Sequence, residues 1–432
     1  VNSSYWTARR LAALLAVLIA ASGCGPASIP APSPASTSSM PLPPADDASA
    51  RLKPPAGFAV RIYASKLARP RLMTIGPDEQ LYVAERGANN IVRLPDANRD
   101  GLADSAEIVA NELHKPHSAE WHANALYVSE FDRVSKLVDK NNNRSFIDAD
   151  ERETITDIPS DGIHTTPTLH FGPDGKLYIA VGSSCNACIE DDPRRAAILR
   201  LNADGSIPAD NPFANDADPR RQAIWAEGLR NVIDFVFMPD GQLWADQNGV
   251  DNLGITPEQV SENPPEEVII AIEKGKHYGW PFCYTPTREA TPAGTHEVRD
   301  TINNIAFTGQ LSSCEQAIPA RFTDLPHQAP LGMAVYDKAA FPAEYRGNVF
   351  IAYHGSWNSP ASQRDCKVQM ITVQNNQPIG AKSFLTGFRE NDAQLCAEGW
   401  GRPADVAVGA NGEIFVSDDK NGNIYRVVYA GQ

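Results

Sequence analysis

The chain is short of the positive charge that nucleic acids and anionic membranes require. Its 38 Lys and Arg face 53 Asp and Glu, a formal net charge of −15 over 432 residues. No basic patch is visible, which excludes phosphate-backbone binding and electrostatic adhesion to acidic lipid. No G-x-G-x-x-G follows a strand pattern and no G-x-x-x-x-G-K-[ST] occurs, so nicotinamide, flavin and nucleotide folds are unsupported. A haem-attachment signature is missing too, because Cys185-Asn-Ala-Cys188 is followed by Ile189. The apolar run from Leu11 to Ala21 is too short to span a bilayer. At 42% hydrophobic and 21% charged, the chain can nevertheless bury a large core.

That short run follows Arg9 and Arg10 and ends in Ala-Ser-Gly-Cys24, the pattern of a bacterial lipoprotein signal. Residues 1–24 are therefore expected to direct export, with a lipid on Cys24 as the only membrane attachment and the protein periplasmic or on the cell surface. Residues 25–52 are rich in Pro, Ser and Ala and read as an extended tether. Six cysteines remain beyond Cys24, and an oxidising compartment favours the local pairs Cys185 with Cys188, Cys283 with Cys314, and Cys366 with Cys396.

From residue 53 to 432 one theme recurs: a turn, a strand ending in a small or polar residue, then a second strand. It appears as IGPDEQLYVAERGANNIVRL, WHANALYVSEFDRVSKLV, FGPDGKLYIAVG with AAILRL, FMPDGQLWADQNG with EEVIIAIEKG, GNVFIAYHGSW with KVQMITV, and VGANGEIFVSDDKNGNIYRVVY. Six such units without long amphipathic helices between them predict an all-β, six-bladed β-propeller. A β-sandwich would show closer and more even spacing. Propellers hold ligands over the central channel, on loops between blades.

Asp96-Ala-Asn98-Arg-Asp100-Gly101-Leu102-Ala-Asp104-Ser-Ala-Glu107 satisfies each ligand position of a twelve-residue calcium loop, with Leu102 supplying a carbonyl and Gly101 the sharp turn. A second copy at Asp139, Asn141, Asn143 and Ser145 has Arg144 in the glycine position. His164 stands on the loop feeding the strand of GPDGKLYIAVG. Gly228-Leu-Arg230-Asn231 and Gly401-Arg402-Pro-Ala-Asp405 each open a unit. Two arginines converging on a channel would suit an anionic ligand, since guanidinium pairs carboxylates in bidentate fashion, unless each pairs with a local Asp or Glu.

The runs HTTPTLHFGPDGKLYIAVG, AAILRLNADGSIPADNPFA, EGLRNVIDFVFMPDGQLWADQNG, EKGKHYGWPFCY, YRGNVFIAYHGSWN and GRPADVAVGANGEIFVSDDKNGNIYRV resemble the soluble aldose and sorbosone dehydrogenases that use pyrroloquinoline quinone (PQQ). The resemblance implies a tricarboxylate quinone over the channel, Ca2+ beside it, and oxidation of a sugar or sugar aldehyde by hydride transfer to the quinone. By position it makes His164 the general base, Arg230, Asn231 and Arg402 quinone contacts, and the carbonyls of Gln247, Asn248 and Gly249 the calcium ligands. His117, His327, His354 and Trp357 become pocket candidates. A pocket lysine of the glucose-oxidising branch is missing near His354, and Ile233 replaces its glutamine, so the sugar differs from glucose or is left open. The electron acceptor would be a separate molecule, a cytochrome or a quinone. Two other readings compete: a calcium-dependent propeller lactonase or other hydrolase, which needs acidic side chains in the channel, and a non-catalytic cell-surface binding propeller.

Overall fold

A computed structural model of the protein describes residues 40–285, 300–302, 305–309, 311–359 and 364–431. The signal, Cys24 and most of the tether lie outside the described residues. Six four-stranded antiparallel sheets carry the fold, and a two-stranded ribbon of Cys283–Tyr284 and Asp300–Thr301 is appended. The innermost strands are Pro70–Ile75, Ser118–His122, Thr168–Phe171, Phe235–Phe237, Pro330–Val335 and Pro403–Val408, and each touches the next until the last returns to the first. That closed ring is the expected six-bladed propeller. Sequence order follows blade order except at the seam: Phe58–Ala64 forms the outer strand of blade six, pairing Phe58 with Tyr429.

The turn that starts most units has a local cause. In blade three, Asp174 accepts the Lys176 N–H (3.1 Å) and the Tyr178 hydroxyl (3.1 Å), and Gly175 takes φ +69°, a conformation that costs a residue with a Cβ. Blade one repeats the device with Asp78, which accepts from Gln80 N at 3.3 Å and from Tyr82 at 3.4 Å. The strand that follows alternates between two cores. Leu177 and Ile179 pack toward Tyr127 and Val134 of blade two. Tyr178 and Ala180 pack toward Phe235 and Ala245 of blade four. Both faces being buried, Ile179→Ala would cost about 2–5 kcal/mol.

Side chains also lash neighbouring blades together along the channel wall, at every second junction. Asp405 of blade six accepts the Met73 N–H of blade one (2.7 Å), Ser118 of blade two accepts the Leu169 N–H of blade three (3.0 Å), and Asp234 of blade four accepts the Met333 N–H of blade five (2.8 Å). Each satisfies a buried backbone donor that blade spacing would orphan. The three disulfides are those expected: Cys185–Cys188, Cys283–Cys314 and Cys366–Cys396.

Candidate active site

Because strands alternate in direction, the connection into each inner strand and the one between the second and third strands emerge on the same face of the ring. His164, Arg230, Asn231, Gln247, Asn248, Gly249, His117, His327, His354 and Arg402 all lie on such connections or at the strand ends beside them, so the fold gathers them on one face. The Asp96–Glu107 loop joins a third strand to a fourth and belongs to the opposite face, where Gly101 packs against Arg426 of blade six.

Blades three and four bring His164 and Asn231 together around Gly182, and the Arg230 carbonyl accepts the N–H of the next residue, Ser183, at 2.8 Å. A Cβ added at Gly182 would lie 2.6 Å from His164 Cβ and 2.8 Å from Asn231 Oδ1, so only glycine lets the two side chains approach. His164 Nδ1 lies 3.2 Å from the Ser183 carbonyl and 2.8 Å from Ser183 Oγ, whose own proton goes to the Cys185 carbonyl at 2.8 Å. Both Ser183 oxygens therefore accept, which assigns the proton to Nδ1 and leaves the lone pair on Nε2. Burial, then the charge of Arg230, pushes His164 down to about 3. The ring is neutral at physiological pH, the form a base needs.

Arg230 is buried and heavily engaged. Its guanidinium donates to the Asn186 carbonyl (3.0 Å), Asn186 Oδ1 (2.8 Å), the Asn248 carbonyl (3.1 Å) and Asp251 Oδ2 (2.8 Å). The local-acid alternative thus holds for Arg230, through Asp251. The Asn248 carbonyl, one of the three expected calcium ligands, faces that guanidinium. Gln247 Oε1 is buried without a partner among the described residues, while its amide donates to Glu267 at 2.6 Å. The Gly249 N–H points to Glu266 Oε2 (3.4 Å), a carboxyl that burial pushes up to about 7.

A second group spans blades five, six and one. His354 Nε2 and Asp419 Oδ1 are 2.8 Å apart, and Asp419 also pairs with Arg71 at 2.7 Å. Arg402 donates to the carbonyls of His354 (3.0 Å) and Gly355 (3.3 Å). Burial lowers both His354 and Arg402 below their ordinary values. His117 is fully buried, with neither ring nitrogen partnered among the described residues, and burial followed by Arg71 and Arg86 holds it well below the usual histidine range. His327 is spent on the Val260 carbonyl (2.6 Å), and Trp357 is 69% exposed.

In the Asp96 loop the carboxylate of Asp96 accepts from Asp100 N and Gly101 N, both at 3.0 Å, and Asp100 accepts from Leu102 N at 2.9 Å. Asn98 also accepts from Asp100 N (2.9 Å) and Asp104 from Ala97 N (2.7 Å), while Glu107 turns to Arg93 at 2.8 Å. The second copy makes the same turn: Asp139 accepts from Asn143 N (3.1 Å) and Arg144 N (2.9 Å), with Arg144 at φ +63° where the first loop has glycine.

Sequence reasoning missed Ser183, Asn186, Asp251, Arg71 and Asp419. Only Asn186 carried a signal, its place inside Cys-x-x-Cys. It also missed the channel itself, where His170 sits between Glu120 and Asp234, each 2.8 Å away.

A family model described as TrAA12-like matches residues 52–430. An uncharacterized protein of Borreliella burgdorferi is 26% identical over 398 residues, covering 89% of this chain and 93% of its own. Aldose sugar dehydrogenase YliI of Escherichia coli is 25% identical over 284 residues, covering 64% of either chain, so this chain spans just under two thirds of that relative. The holo PQQ domain of pyranose dehydrogenase from Coprinopsis cinerea superposes with a TM-score of 0.68 at 21% identity, over 88% of this chain and 97% of that one. Likeness at that identity speaks for the fold.

Proposed function

The chain belongs to the TrAA12-like family, and from that premise we propose that it is a PQQ- and calcium-dependent dehydrogenase that oxidises an aldose or sugar aldehyde. The observation that carries the reading is the Gly182 cradle, where a neutral imidazole meets Asn231, with the Arg230 charge near enough to depress that imidazole. The donor set suits a tricarboxylate: Arg230 is a buried cation and Arg402 a half-buried one, burial destabilises both, and an anion beside them offsets that cost. Asn231 would contribute its amide, and His117 two buried nitrogens that have no partner among the described residues. Gln247 Oε1, which has no partner among the described residues, and the Glu266 carboxylate would be oxygen donors for a hard cation beside the expected carbonyls of Gln247, Asn248 and Gly249.

When bound, the quinone supplies a two-electron acceptor, with calcium polarising its oxygen. His164, protonated on Nδ1, would take the proton of a substrate hydroxyl on Nε2. Ser183 holds that tautomer and the ring plane. Electrons would leave to a separate cytochrome or quinone. Export with a lipid anchor at Cys24 completes the proposal on the strength of the sequence signal alone.

The lactonase alternative calls for free channel carboxylates. Here Glu120 and Asp234 are taken by His170 and Asp405 by Met73 N, which leaves Asp246 Oδ2 as a carboxylate oxygen without a partner among the described residues, and that oxygen is fully buried. The deciding experiment titrates the purified protein with PQQ and calcium, follows the quinone absorbance, and then adds a panel of aldoses and sugar aldehydes. Stoichiometric uptake with bleaching supports the reading, and absence of uptake refutes it.

A further inference from the structure

The four-residue ring closed by Cys185–Cys188 lies against the site and hydrogen-bonds several of its members. Asn186 accepts twice from Arg230, through its carbonyl at 3.0 Å and its side-chain oxygen at 2.8 Å. The same carbonyl takes the Trp280 indole N–H (3.1 Å), and the same side chain accepts from Asp251 N (2.8 Å) and donates to the Asp251 carbonyl (2.9 Å). Asp251 is the ion-pair partner of Arg230. One residue earlier, the Cys185 carbonyl takes the Ser183 hydroxyl proton and so makes that oxygen an acceptor for His164.

Resting on the PQQ reading above, we propose that this disulfide-closed loop is the positioning element of the site, with Asn186 setting the guanidinium of Arg230 and Cys185 the tautomer of His164. Four observations support it. A loop this short removes little entropy from the unfolded chain, so global stability is a weak reason for the disulfide. The bond does fix two consecutive carbonyls that point at two different functional side chains. Arg230 has five N–H donors on a rigid fork, and Asn186 meets it with two acceptors, which sets an orientation that one acceptor would leave free to swing. Trp280, Val250, Ala196 and Ile302 pack beside the two cysteines and keep the ring in place.

The test is a double-mutant cycle read by equilibrium binding. Wild type, Asn186→Ala, Arg230→Ala and the combined variant are titrated with PQQ in calcium, and the thermal midpoint of each unliganded protein is recorded. A Cys185→Ala/Cys188→Ala variant is carried alongside in case Asn186→Ala alone perturbs folding. Asn186→Ala should weaken PQQ binding by tenfold or so and add little once Arg230 is gone, because it acts through Arg230. The disulfide variant should lose affinity similarly while its unliganded midpoint moves by only a few degrees. Losses that add in the double variant, or unchanged affinity in both loop variants, overturn the positioning role. A wild type that takes up no PQQ refutes the proposed function and this inference with it, whereas normal wild-type binding with indifferent loop variants refutes the inference alone.

Discussion

Ser183 Oγ stands 2.8 Å from Nδ1 of His164 and gives its own proton to Cys185. The His164 imidazole is therefore held by a hydroxyl and a carbonyl rather than by a carboxylate. No acidic group among the described residues raises its basicity, and burial and Arg230 lower it to about 3. An anion set beside Arg230 would offset that charge and raise the imidazole. Histidine NMR of the unliganded protein should show His164 neutral down to about pH 3 and shifted upward after PQQ is added. Titration near the ordinary 6.5 in the unliganded protein would rule out this electrostatic account.

Substitution separates the two members of the pair. His164→Ala should abolish turnover while PQQ binding survives. Ser183→Ala, which leaves the carbonyl acceptor in place, should lower kcat about tenfold with KM little changed. Retained turnover in His164→Ala would remove it as the base.

A different histidine governs the response to alkali. Burial alone would lower His170, but Asp234 and Glu120 carry it up to about 10. Its folded value exceeds the unfolded 6.5, so its contribution is fully present below about pH 6.5 and disappears as pH rises through about 10. Asp405 and Asp246 face the same cluster. Burial and Asp234 raise both, and Asp405, pushed up to about 8, releases its proton within the same range. The midpoint of wild type should fall between pH 6.5 and 10 more steeply than that of His170→Asn. His170→Ala, which strands two carboxylates, should cost about 3 kcal/mol at neutral pH. Parallel pH curves would contradict the assignment.

The propeller was legible because its signals are local: a Gly-x-Asp turn and a period-two strand need only a dozen residues, and they recur. His164, Arg230 and Arg402 were legible as channel-facing because they stand just ahead of inner strands. Their partners were not. Arg230 meets Asn186 from 44 residues away and Asp251 from 21, in connections whose course follows from packing between blades rather than from any pattern in the chain. His170 looked like any strand residue, because ring closure is what aims it at carboxylates of the neighbouring blades. The seam strand escaped for the same reason, since its partner lies at the other end of the chain.

Calcium in the outer loop is testable apart from the active site. Asp96 accepts two N–H groups, so Asp96→Ala should lose about 1–2 kcal/mol in chelator as well as in calcium. If the loop binds the ion, wild type should gain a calcium-dependent rise in thermal midpoint that Asp96→Ala lacks. Glu107, the last ligand position of the loop, pairs with Arg93, so Glu107→Ala should cost under about 1 kcal/mol in chelator and more in calcium, and an equal loss in both would count against the calcium loop. A calcium shift undiminished in Asp96→Ala would place the ion elsewhere.

Ring closure gives the sharpest stability test. Phe58 opens the seam strand, and its ring lies 4.7 Å from Phe341, 4.9 Å from Tyr345, 5.1 Å from Tyr429 and 5.3 Å from Phe384, all edge-on. One side chain thus joins the first strand to both last blades, and such contacts add to its area burial. Phe58→Ala should cost about 3 kcal/mol, read as a lower urea midpoint with unchanged slope. Loosening the strand also bares the edge of Asn423–Tyr429, whose free N–H and C=O groups would recruit other chains, so the variant should elute partly as higher oligomers. A loss below about 1 kcal/mol with a monomeric profile would mean that hydrogen bonds along the seam, and not this aromatic cluster, hold the ring shut.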